Sequence, residues 1–175
     1  MASEAVGGND IALRPTVSTI INTALLLMQP KSMIESGWAI GLGHFYSLFK
    51  DSTESYLRSL CTKHKPKVIV VCMIYYLDET PGGSWADNVL SKLGYDNDPS
   101  KLQLLIRTVF KEALSKIEIE GTTVVPFPMF TVLNGKDSDD YEQRVEPSVQ
   151  GGMKLGEALV DEILHVYPLA GPVGC

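Results

Sequence analysis

The sequence predicts an α/β protein, a three-layer α/β/α sandwich on a short parallel sheet. Two apolar runs and the helical periodicity between them carry that expectation. Val68-Ile69-Val70-Val71-Cys72-Met73-Ile74 is apolar at every position, as befits a parallel strand covered on both faces. Thr122-Thr123-Val124-Val125-Pro126-Phe127 is the second run, with Pro126 near its end, where a ladder tolerates a missing donor. Helical crossovers between such strands make neighbouring strands parallel.

The remaining elements follow in order. Ala5-Val6 is a strand fragment that leads into Gly7-Gly8-Asn9-Asp10. Pro15 suits a first helical turn, and Val17, Ile20, Ile21, Ala24, Leu25 and Met28 recur at helical spacing from Thr16 to Met28. Pro30 ends that helix. Gly37 to Gly43 is a glycine-punctuated loop or helix start, and Phe45 to His64 reads as an amphipathic helix stopped by Lys65-Pro66-Lys67. After the first long strand comes a loop, Asp78 to Gly83. Ser84-Trp85-Ala86-Asp87 then resembles a capping box that opens a short helix to Leu93. A polar turn, Gly94 to Pro99, precedes a helix from Ser100 to Ile117 with a core face of Leu102, Leu105, Ile106, Val109, Phe110 and Leu114. An acidic loop, Asn134 to Glu146, follows the second strand, and Pro147 opens a last helix through about Val166. These elements make one domain over residues 1–166. The tail from Tyr167 to Cys175 has no periodicity and reads as flexible.

Composition narrows the function. The 175 residues carry a net charge of −6, with 45% hydrophobic and 21% charged residues, so the chain is globular and poorly suited to neutralising phosphates. Nucleic acid is therefore not an expected partner. No apolar run reaches the roughly 18 residues that a membrane span needs, and the first residues lack the basic and apolar regions of a signal peptide. A cytoplasmic location is the default expectation. Cys61, Cys72 and Cys175 have neither metal-ligand nor disulfide-framework spacing, and read as two buried thiols and one in the tail.

In a parallel sheet the chemistry lies at the carboxyl ends of the strands, and two unusual loops fall there. Gly7-Gly8-Asn9-Asp10, after a short apolar piece, resembles the Gly-x-Asn-Asp block of the SGNH (GDSL-type) hydrolases. Near the other end of the chain, Gln143-Arg144-Val145-Glu146-Pro147-Ser148-Val149-Gln150-Gly151 is similar to that family's Asp-x-x-His-Pro-(Ser/Asn)-x-x-Gly, with the Pro, the Ser and the Gly in register. The resemblance runs from about Val6 to Val166. It implies a flavodoxin-like three-layer fold, an activity on small acyl esters through a serine nucleophile, and no cofactor. By position, Asn9 resembles the side-chain donor of the oxyanion hole, a group worth on the order of 3 kcal/mol in such chemistry. Gly8 lets the backbone approach the substrate, and Asp10 stands beside it. The other reading of Asn9 and Asp10 is as caps of the next helix.

The departures are as informative. The Gly-Asp-Ser block that carries the family's nucleophile is absent, together with the strands around it, as is the block with a second oxyanion glycine. Glu146 stands in the place of the His base and Gln143 in the place of the Asp that orients it. A carboxylate is poorly matched to activating a serine unless burial raises its pKa. Truncation accounts for the missing serine, and divergence to a noncatalytic member accounts for Glu146. The alternative function is thus a pseudoenzyme, a binding or interaction module on the same fold. Missing first strands leave an open apolar sheet edge that invites self-association.

Other sites rank lower. Gly82-Gly83-Ser84-Trp85-Ala86 approaches a nucleophile elbow, but its last position is Ala and it lies beyond the strand, so Ser84 reads as a helix cap. Asp137, Asp139, Asp140 and Glu142 read as a solvated loop before a cation site. His64 and His165 lie near helix ends, where a cation complements the dipole, and His44 alone sits in a candidate pocket loop. Tyr75, Tyr76 and Trp85 follow the buried strand and read first as packing residues. No loop offers glycines at phosphate spacing, which disfavours a nucleotide or flavin binder.

Overall fold

A computed structural model describes residues 17–167. The Ala5-Val6 fragment and residues 168–175 of the tail lie outside the described residues. Helix α1 (Val17–Met28) is stopped by Pro30, which also precedes a short helix the sequence reading lacked, α2 (Lys31–Glu35). Its single buried side chain, Ile34, creates no periodicity to detect. Helix α3 (Leu42–Tyr46) continues through a π-helical turn (Ser47–Ser52) into α4 (Thr53–Leu60). This helix starts before the expected Phe45 and ends before His64. Its start is set by Gly41, which has φ +100° and a position where a Cβ would lie 2.7 Å from the Asn22 carbonyl oxygen. Only glycine meets both conditions.

Strand β1 (Val68–Met73) is followed by α5 (Asp87–Lys92) and by α6 (Pro99–Glu112), which has proline in its first turn. The helix expected to reach Ile117 leaves α geometry at Ala113 and closes with a 3-10 turn, Leu114–Lys116. Strand β2 (Thr123–Pro128) pairs in parallel with β1, from Val68 opposite Thr123 to Met73 opposite Pro128. A 3-10 turn (Ser138–Asp140) leads into a small antiparallel pair, β3 (Tyr141–Glu142) and β4 (Glu146–Pro147), and the last helix is α7 (Val149–Val166). The chain is therefore a mixed α/β protein with a small parallel sheet.

Side chains alternate across a strand, and the two faces of β1 differ. Ile69, Val71 and Met73 pack into a core with Leu42, Phe45 and Phe49 from the α3–α4 segment and Leu105 and Val109 from α6. On the opposite face Val68, Val70 and Cys72 line an open groove of about 520 Å³ against Leu159, Ile163 and Tyr167 of the α7 segment. The expectation of full burial on both faces is thus corrected. Cys72 is exposed, not buried, while Cys61 is buried and Cys175 lies outside the described residues. Among the described residues β1 pairs only with β2, so its outer edge has no ladder partner.

Candidate functional site

The segment that resembles the family's last block forms the β3–β4 pair and the start of α7. Ser148 is the N-cap of α7, its hydroxyl accepting from the Gly151 N–H at 3.2 Å and donating to the Asp139 carbonyl at 2.6 Å. A Cβ on Gly151 would lie 2.1 Å from the Asp140 carbonyl oxygen, so the helix approaches this turn as closely as a backbone without side chain allows. Asp140 is itself buried. Its carboxylate accepts from Lys154 at 2.6 Å and from Gln150 at 3.1 Å. The solvated-loop reading of the acidic cluster is therefore corrected at Asp140. Its carboxylate faces α7, where a lysine matches its charge, while Asp139 and Glu142 stay exposed. Among the described residues, no group of three His, Cys, Asp or Glu side chains is placed to hold a metal ion.

Glu146 stands at the exposed rim of this pair, opposite Glu142 in the ladder. Its carboxylate accepts from the Trp85 indole N–H at 3.2 Å. The Trp85 backbone N–H donates to the Gln143 side-chain oxygen at 3.3 Å, and the Ser84 hydroxyl donates to the Gln143 carbonyl. Beneath them the Tyr75 hydroxyl donates to the Val145 carbonyl at 2.7 Å. Burial, with the nearby Glu146 charge second, pushes the Tyr75 pKa up to about 12. One rim thus gathers a half-exposed indole, a carboxylate, an amide and a hydroxyl where β1 ends and its loop begins.

The rim is anchored from below by a residue that sequence reasoning missed. Arg144 lies in the middle of the hairpin, its side chain only 2% exposed. Its guanidinium donates to the Asp78 carbonyl from Nε at 3.3 Å and Nη2 at 3.2 Å, to Asp87 from Nη1 at 2.9 Å and to Asp96 from Nη2 at 3.0 Å. It also lies over the buried Tyr95 ring, 6.0 Å from the centroid. In return the Asp78 N–H donates to the Arg144 carbonyl at 3.0 Å. The Arg144 hydrogen bond leads the influences that hold the Asp87 carboxyl below its ordinary range. Gln143 and Arg144 both have left-handed backbone, at φ 50° and 65°, which costs roughly 1–2 kcal/mol per residue without glycine. The charge-assisted bonds of the guanidinium offset that strain. The sequence signal is a lone arginine inside an acidic loop, with its carboxylate partners in a distant turn and at the first residue of α5.

The other expected sites divide. Gly8, Asn9 and Asp10 lie outside the described residues, so Glu146 is the one expected catalytic position with a described environment. Ser84 caps as expected in part. Asp87 reaches back to the Ser84 N–H at 2.9 Å, but the Ser84 hydroxyl accepts from Ala86 at 3.0 Å and helix α5 begins only at Asp87. Tyr76 is a packing residue stacked on Phe130 and bonded to Arg107, whereas Trp85 is 48% exposed. His44 lies in the first turn of α3 and meets Thr19 at 3.0 Å, away from the rim. The groove along β1 is lined from Lys67 to Cys72, and neither Trp85, Gln143 nor Glu146 is among its lining residues. No helix among the described residues is long and apolar enough to cross a membrane. No family model matches the chain, and neither a curated protein nor a solved structure matches it.

Proposed function

We propose that this chain is an SGNH-type ester hydrolase domain whose serine nucleophile is missing from the sequence. By itself it holds a small acyl ester at the Trp85–Glu146 rim without cleaving it. The observation that carries this reading is the hairpin itself. It puts Glu146, in the place of the family's base, beside an exposed indole and just before a helix start built from Pro147, Ser148 and Gly151. Asn9 is the oxyanion donor in this reading, with Gly8 and Asp10 beside it in the substrate loop. A three-layer arrangement with a further strand on the free edge of β1 belongs to the same proposal. Trp85 supplies an apolar face and Glu146 and Gln143 supply the polar contacts, a combination typical of small-molecule sites.

The second reading is a noncatalytic binding or interaction module on the same fold. It is favoured by Ser84, whose hydroxyl is taken up by the Gln143 carbonyl and is not paired with a base. The two part on a small ester. A saturable shift of the Trp85 indole signal with phenyl acetate is the expected result, and a signal that phenyl acetate leaves in place leaves the interaction module. Among the described residues the outer edge of β1 has no ladder partner, and the strand carries no charge or proline to guard it, so self-association with rising concentration is the expected behaviour of the isolated chain. Val70→Lys removes this in sedimentation velocity, whereas a wild-type monomer at high concentration contradicts it.

A further inference from the structure

Four links join the hairpin tip, residues 143–146, to the loop that carries Trp85. At the exposed rim are the indole–Glu146 bond, the Trp85 N–H to Gln143 bond and the Ser84 hydroxyl to Gln143 carbonyl bond. At the buried end is Arg144, and its bond to Asp87 is a relay. One Asp87 oxygen accepts from Arg144, while the other accepts from the N–H groups of Gly83 at 2.8 Å and Ser84 at 2.9 Å. The guanidinium therefore reaches the residues next to Trp85 through a single carboxylate. Its remaining bonds, to the Asp78 carbonyl and Asp96, fix the hairpin to the β1 loop and to the turn before α6. Only a planar fork serves three acceptors in three directions at once, and a lysine ammonium on a flexible stem does not reproduce it.

We propose that Arg144 is the positioning residue of this site. Its buried guanidinium sets the hairpin against the Gly83–Asp87 loop and so holds Glu146 under the Trp85 indole. The inference rests on the reading of that pair as the ligand site. It adds the residue that fixes the pair's geometry without touching a ligand.

The test follows the Trp85 indole N–H by nitrogen-15 NMR on the full chain, with Trp38 as an internal control. Trp38 is 79% exposed and lies between α2 and α3. In the wild type the Trp85 signal reports its bond to Glu146, and Glu146→Gln shifts it. In Arg144→Lys the Trp38 signal is expected to stay in place while the Trp85 signal moves toward its Glu146→Gln position. Asp87→Asn keeps the arginine but leaves one oxygen for two sets of donors, so its Trp85 signal is expected to move the same way even where Arg144→Lys does not fold.

An unchanged Trp85 signal in either variant overturns the proposal, as does a signal that Glu146→Gln leaves in place. A Trp85 signal that follows these variants as expected but does not respond to added phenyl acetate overturns the ligand-site reading alone. Positioning by Arg144 then still stands.

Discussion

Two adjoining stretches of the chain, 143–146 and 147–151, are held in opposite ways. From Pro147 to Gly151 the contacts are local. Ser148 bonds the Gly151 N–H and the Asp139 carbonyl, at separations of 3 and 9 residues. From Gln143 to Glu146 the partners of Arg144 and Glu146 lie 48 to 66 residues away. The residues of the first stretch build a helix start from their own neighbours, and those of the second are held by side chains far along the chain. The difference teaches that a local capping device and a site assembled from distant partners can adjoin in one short segment.

The largest expected effect breaks the long-range stretch. Arg144→Met leaves Asp87, Asp96 and the Asp78 carbonyl without their buried donor, and is expected to cost about 3 kcal/mol in urea unfolding. A loss near that of an ordinary surface substitution shows that water replaces the guanidinium.

The local stretch breaks at neighbouring glycines with opposite signs. Gly151→Ala forces a Cβ against the Asp140 carbonyl and is expected to destabilise by about 1–3 kcal/mol. Gly152→Ala meets open space and is expected to stabilise by up to about 1 kcal/mol through helix propensity. Equal effects from the two, read as melting temperatures, contradict the close approach of α7 to its preceding turn.

The smallest effect is in pH. Arg144 first, and the Ser84 and Gly83 N–H groups after it, hold the Asp87 carboxyl low. A carboxyl held low in the folded state contributes stability above its unfolded pKa, near 3.9, and loses it as pH falls through the folded value. Wild-type urea midpoints are therefore expected to drop more steeply below about pH 4 than those of Asp87→Asn. Parallel slopes show that the relay carries no stability.

What was legible in the sequence follows the same division. The apolar run of β1, Pro30 as a stop and the helix after Pro147 all rest on neighbours in the chain, and the structure has them. Three features escaped because their causes are distant. The early start of α3 depends on Gly41 against the Asn22 carbonyl. The exposure of Cys72 depends on how far the α7 segment stands from β1, which no local pattern records. Arg144 had no expected role, since its partners Asp78, Asp87 and Asp96 lie in segments read as loops and a cap. Glu146 was legible as a position, by its place before Pro147-Ser148, but its indole partner was not.

The central claim is that the Trp85–Glu146 rim receives a small acyl ester and that this chain does not cleave it. One NMR sample tests both halves, with the Trp85 indole and a phenyl acetate substrate followed together over time. The expected result is a saturable shift of the Trp85 signal, absent in Glu146→Gln, with the ester spectrum unchanged beyond its spontaneous hydrolysis. An ester consumed faster than that, with turnover lost in Asn9→Ala, contradicts the missing nucleophile, and an unmoved Trp85 signal contradicts the site.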